Sequence, residues 1–112
     1  MPKRPPPLTR VFQALADPTR LAVVERLSKG PVATSELAAP FKMAMPSFLQ
    51  HLDVLADCGL VRSSKKGRVR TYQLAPDVLK TVEDWLVEQR ALWEKRLDQL
   101  DSFLHELKGQ SE

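Results

Sequence analysis

After Pro76 and as far as Leu107 the chain has neither proline nor glycine, and Leu79, Leu86, Trp93, Leu100 and Leu107 recur every seven residues. Leu97 and Leu104 complete a three-four spacing, so residues 76–107 read as one continuous helix carrying an apolar seam. Glu83 and Arg90 interrupt the second seam position, which makes the coiled-coil character stronger from Trp93 onward. The 75 residues before this stretch form a body too small to cover such a helix along its length. A second copy of the chain is therefore expected along the seam, with Trp85 and Trp93 as packing residues.

Proline and glycine divide the rest. Residues 1–7 read as a flexible tail, stiffened locally by Pro5-Pro6-Pro7. Leu8, Val11, Phe12 and Leu15 then mark one face of a helix over 8–15. Asp17 is a good N-cap and Pro18 suits a first helical position, so a second helix runs to Leu27 with Leu21, Val24 and Leu27 inward, and Gly30-Pro31 stops it. Thr34 or Ser35 can cap a brief third helix through Ala39, before Pro40 and a turn at Lys42-Met43-Ala44.

The fourth helix has Pro46 in its first turn and closes at Gly59. Phe48, Leu52 and Leu55 fall within about 60° of one another on its wheel and are assigned to the core. Ala44 stands where a hydroxyl would cap it better. Residues 34–58 thus spell helix, turn, helix. Leu60–Ser63 and Val69–Leu74 flank Lys66-Gly67 as a hairpin over 60–74. The expected fold is mainly α with an α+β element: a single winged helix-turn-helix domain over 1–112, with a two-stranded wing and a long C-terminal dimerisation helix.

Charge gives the partner. Residues 1–75 hold 12 basic and 5 acidic side chains, a balance of +7, whereas residues 76–112 hold 5 and 9, a balance of −4. The front of the chain is suited to a polyanion. Its sharpest feature is the hairpin tip, Lys65-Lys66-Gly67-Arg68-Val69-Arg70, whose charges are all positive, placed shortly after a helix with a polar side. A helix can enter the major groove of double-stranded DNA while a basic loop grips the neighbouring phosphates. Ser47 and Gln50, near the start of the fourth helix, are the candidates for base edges, Met45 and Leu49 for thymine methyl groups. Arg62, Lys65, Lys66, Arg68 and Arg70 supply phosphate contacts. His51 lies about 60° from the core centre of the wheel and either packs beside it or donates to a phosphate, packing being preferred.

Other classes find little here. No apolar run approaches the roughly 18 residues of a membrane span, and the opening basic residues have no apolar stretch behind them, so a cytoplasmic location is expected. One cysteine, Cys58, allows no internal disulfide and reads as a packing residue. Two histidines, one cysteine and no glycine-rich phosphate loop leave no catalytic set or cofactor signature, so no enzyme, metal or cofactor is expected. A winged-helix protein-interaction adaptor without DNA binding is the alternative, encouraged only by Asp53 and Ala44.

The order of elements resembles the ArsR-type winged-helix transcriptional repressors over nearly the whole chain. The landmarks are Leu15-Ala16-Asp17-Pro18-Thr19-Arg20-Leu21, Glu36-Leu37-Ala38, Pro46 with Gln50-His51-Leu52-Asp53-Val54-Leu55, Gly59-Leu60-Val61, and Gly67-Arg68 with Tyr72. The resemblance implies a homodimer through the first and last helices, which would place Leu8, Val11, Phe12, Leu86, Trp93, Leu97, Leu100, Leu104 and Leu107 at the interface. It also implies repression from an operator of two half-sites. Arsenic-responsive members carry Cys-x-Cys in the third helix, where this chain has Ala38 and Pro40; others hold zinc-like ions between C-terminal helices, where this chain offers only His105 with Asp101 and Glu106. Asp53 stands where relatives often carry lysine. Operator, target genes and any small-molecule effector are left unassigned.

Overall fold

In the computed structural model, which describes residues 7–110, the chain opens with α1 (Leu8–Leu15), whose Val11 and Ala14 point into the core. The expected tail lies outside the described residues except for Pro7. Val11 is 1% exposed, which corrects its assignment to a dimer surface: its own chain already covers it. Asp17 then caps α2 (Pro18–Leu27) by accepting a 3.0 Å hydrogen bond from the Arg20 N–H, with Pro18 in the first turn as expected. Val23, Val24 and Leu27 are its buried positions. Leu21, expected inward, is 44% exposed, and Val23 takes its place.

The structure adds a strand that periodicity could not reveal. β1 (Val32–Ala33) has only two residues and leads directly into α3 (Thr34–Ala38). Neither Thr34 nor Ser35 caps that helix; Ala33 is the N-cap and no side-chain cap bond forms. Next comes α4 (Met45–Asp57), with Phe48, Leu52 and Leu55 all 1% exposed or less, as their wheel positions require. Phe41, from the preceding turn, sets its ring 5.3 Å from that of Phe48. Ala44, as expected, gives the helix no side-chain cap.

Cys58 is buried and its thiol lies 3.5 Å from the Leu55 carbonyl, consistent with packing. Gly59 has φ +81°, and an added Cβ would meet Val78 Cγ2 at 2.9 Å, so both backbone and space require glycine there. β2 (Val61–Lys66) and β3 (Val69–Leu74) form the hairpin, closed by Gly67-Arg68 with Gly67 at φ +65°, the positive φ that a glycine-first two-residue loop needs. The expected two-stranded wing is thus present, and β1 extends it to an antiparallel sheet of order β1-β3-β2 through Val32↔Tyr72 and Ala33↔Thr71. On β2 only Val61 is buried, so the rest of that strand is held by its ladder rather than by a core.

α5 (Pro76–Gln110) is a helix of 35 residues, about 52 Å long at 1.5 Å per residue. The chain divides into two compact units: everything up to Lys80, including the buried Val78, and the helical stretch from Thr81. In the second unit Leu86, Trp93, Leu97, Leu100, Leu104 and Leu107 are 46% to 65% exposed. Leu92 and Phe103, also exposed, broaden the apolar arc beyond the heptad seam.

The core of α4 predicts a sharp contrast between neighbours. Leu52→Ala should lower stability by about 2–5 kcal/mol in urea unfolding, whereas Leu49→Ala, at a 37% exposed position, should stay within about 0.5 kcal/mol of wild type.

Candidate nucleic-acid interface

The helix-turn-helix is set by local geometry on either side of a tight turn. The Phe41 N–H bonds the Ala38 carbonyl at 3.0 Å after α3, and the Phe48 N–H bonds the Ala44 carbonyl at 3.1 Å where α4 begins. Because Phe48, Leu52 and Leu55 face inward, Met45, Ser47, Leu49 and Gln50 are left exposed on the first turns of α4. Without a side-chain cap, that helix start presents its partial positive charge outward.

Part of the expected set meets in one place. Met45 and Leu49 of α4, Arg68, Val69 and Arg70 of the wing, and Ala33, Thr34 and Ser35 line a cleft of about 330 Å³. The Thr34 hydroxyl fixes one wall by donating at 2.8 Å to the Arg70 carbonyl. Val69, 54% exposed, was not singled out from sequence, since its alternation in the strand looks structural; only the fold sets it opposite Met45 and Leu49. Ser47, Gln50, Arg62, Lys65 and Lys66 are exposed but lie outside this lining.

Strand register exposes a strain in the wing's electrostatics. Lys65 pairs directly with Arg70, so two like charges stand opposite each other, an arrangement that destabilises a free hairpin. The Arg70 guanidinium reaches along the strand and donates at 2.8 Å to the Ser63 hydroxyl. A phosphate between the cations would relieve their repulsion.

His51 does not join this face. Its Nδ1 lies 3.2 Å from Arg20 Nη1 and 3.8 Å from Asp17 Oδ2. A guanidinium has no acceptor, so the bond requires Nδ1 to accept and leaves the neutral ring's proton on Nε2. The phosphate-donor alternative for Nδ1 is thereby replaced by an internal contact with α2. Asp53 is exposed and lies outside the cleft lining.

A helix-turn-helix flanked by a basic hairpin defines a winged helix-turn-helix protein. A helix-turn-helix domain family profile matches residues 15–64, from the end of α1 into β2. The HTH-type transcriptional regulator Rv2034 of Mycobacterium tuberculosis is 49% identical over 67 residues, which is 60% of this chain and 63% of that regulator's length. The crystal structure of an ArsR family transcriptional regulator shares 53% identity and a TM-score of 0.74, covering 84% of this chain and 97% of that one. The homodimeric winged helix-turn-helix DNA-binding domain Mb0332 from Mycobacterium bovis, solved by NMR, shares 28% identity and a TM-score of 0.60, with 76% and 81% covered. The chain belongs to the ArsR family of transcriptional regulators.

The Asp17 carboxyl is held below its ordinary value of 3.8, chiefly by the hydrogen bond from the Arg20 N–H and further by the nearby His51 and Arg20 charges. A carboxylate more acidic in the folded than in the unfolded state adds stability that is complete above the ordinary value and drains away as pH falls through the folded one. Asp17→Asn keeps a neutral cap, so the stability advantage of wild type over this variant should shrink below pH 3.8 in urea titrations run from neutral to acid pH. An advantage unchanged at acid pH would show that the charge contributes nothing.

Proposed function

We propose that this chain is a sequence-specific DNA-binding regulator that acts as a homodimer and represses by occupying an operator of two half-sites. The observation that carries this reading is the cleft shared by the first turns of α4 and the wing tip, an apolar floor of Met45, Leu49 and Val69 beside the cations Arg68 and Arg70. Ser47 and Gln50 meet base edges, where Gln can pair bidentately with adenine. Met45, Leu49 and Val69 meet thymine methyl groups. Arg62, Lys65, Lys66, Arg68 and Arg70 neutralise phosphates and fix the register. The exposed Asp53, outside the cleft lining, gives the adaptor reading no support.

Two copies pair along Leu86, Trp93, Leu97, Leu100, Leu104 and Leu107, an exposed seam that a charged helix keeps only for a partner. Leu8 and Phe12 of α1 are the N-terminal body's own candidates for contact with a second copy. The homodimeric Mycobacterium bovis domain supports the pairing. A two-fold axis places the half-sites about 10 bp apart or at a multiple of that. The protein works without a catalytic step or cofactor, in the cytoplasm with the DNA; no helix among the described residues is long and apolar enough to cross a membrane.

Fluorescence anisotropy on random duplex at two salt concentrations, followed by selection from a random pool, tests the reading. Binding should weaken steeply with salt, and the selected sequences should form a palindrome. Arg68→Ala should weaken all sequences alike and flatten the log–log salt slope by about 0.9 for each of the two protomers, whereas Gln50→Ala should relax one position in each half-site, worth about 1–3 kcal/mol apiece. A wild-type protein that ignores DNA in dilute buffer overturns the proposal.

The seam has its own test in sedimentation. Leu97→Glu combined with Leu100→Glu should turn a micromolar dimer into a monomer and reduce operator affinity, with a melting temperature that no longer depends on protein concentration. A double variant that still sediments as a dimer would place the interface elsewhere.

A further inference from the structure

The Arg20 guanidinium is bonded through all three of its nitrogens to two separate places in the chain. Its Nε donates to the Ala14 carbonyl at 2.7 Å, Nη2 to the Gln13 carbonyl at 3.4 Å, and Nη1 to His51 Nδ1 at 3.2 Å. The first two acceptors belong to the last turn of α1, which has no basic residue of its own, and Ala14 is 2% exposed. Arg20 thus supplies from α2 the cation that α1's C-terminal carbonyls lack. Its backbone is fixed as well, because its N–H is held by Asp17 Oδ2.

We propose that Arg20 is a positioning residue for α4, pinning the end of α1 to His51 so that these two elements share one geometry. The proposal rests on the reading above that α4 meets DNA bases. Phe48, Leu52 and Leu55 set which side of α4 faces the body by apolar burial, which is non-directional and so aims the helix less finely than a hydrogen bond does. A hydrogen bond at His51, one residue beyond Gln50 and four beyond Ser47, fixes that aim where the base-reading side chains stand. The titratable groups around the contact are Asp17 and His51, with Arg20 between them. Lysine keeps the charge but cannot span three acceptors, because its three N–H donors radiate from one nitrogen where the guanidinium spreads its donors over a rigid fork. Since α1 is also a proposed contributor to the dimer interface, the pin links pairing of two copies to the aim of each α4.

The test compares wild type, Arg20→Lys, His51→Ala and His51→Gln on the palindromic duplex selected from the random pool and on random duplex. Arg20→Lys should cost about tenfold or more on the selected duplex while random-duplex binding, which depends on retained charge, stays put. His51→Gln keeps an acceptor and should preserve most of the specificity that His51→Ala loses. The Arg20→Lys, His51→Ala double variant should lose no more specificity than the worse single one, as expected when two residues act through one contact. Without any DNA, long-range 1H–15N NMR should show His51 as the Nε2–H tautomer, its Nδ1 signal shifted in Arg20→Lys. Selected and random duplex weakening together in step with melting temperature, additive losses in the double variant, or an Nδ1–H tautomer in wild type would each overturn the proposal. Failure of wild type to bind any duplex overturns the DNA reading itself, while retained specificity in Arg20→Lys overturns only the pin.

Discussion

One side of α4 is dry, and the remainder of the molecule follows from that. Phe48, Leu52 and Leu55 are withdrawn from water almost completely, and burying side chains of this size contributes about 1.5–3 kcal/mol each. With those three inward, helical geometry leaves Ser47, Leu49 and Gln50 no choice but the surface. The same burial draws in Phe41 from the turn and Leu60 and Val61 from the start of the wing. The hairpin is therefore anchored at its root and free at its tip, which suits an element that must reach a phosphate backbone.

The outward face is built against the protein's own stability. Opposed cations at Lys65 and Arg70, exposed apolar side chains at Met45, Leu49 and Val69, and a helix start without a side-chain cap are each unfavourable in an isolated chain. They occur together, on the elements flanking one cleft, while the interior contains no buried polar or charged residue among those described. A polyanion with apolar methyl groups along its groove answers all of these defects at once. Local departures from what a fold alone would choose are expected where a partner binds.

Much of this was legible in the sequence because it rests on short-range rules. The Asp17-Pro18 start of α2, the buried side of α4, the glycine at the wing turn and the exposed seam of α5 each follow from spacing or from one residue's backbone preference. What escaped depends on long-range placement. β1 has two residues, too few for any alternation, and exists because Tyr72 and Thr71 lie beside it. Thr34, with Ser35 one of two expected helix caps, instead bonds a wing carbonyl 36 residues away. Val11 was placed at the interface by the resemblance and Leu21 inward by spacing, and neither says what lies against an apolar side chain. His51 and Arg20 are 31 residues apart, and no sequence pattern announces their contact.

The two glycines at the root and the tip of the wing differ in a way that bears on how such proteins diversify. Gly67 has the left-handed backbone but open space around it, so a side chain there would meet backbone strain and no clash. Gly59 faces Val78 as well as an unfavourable φ, and the site admits no side chain. The open space at the tip lets the residues beside Gly67 change in charge and shape from one lineage to another, while the root of the wing is fixed. New operator preferences can then arise by rewriting the finger without disturbing the hand.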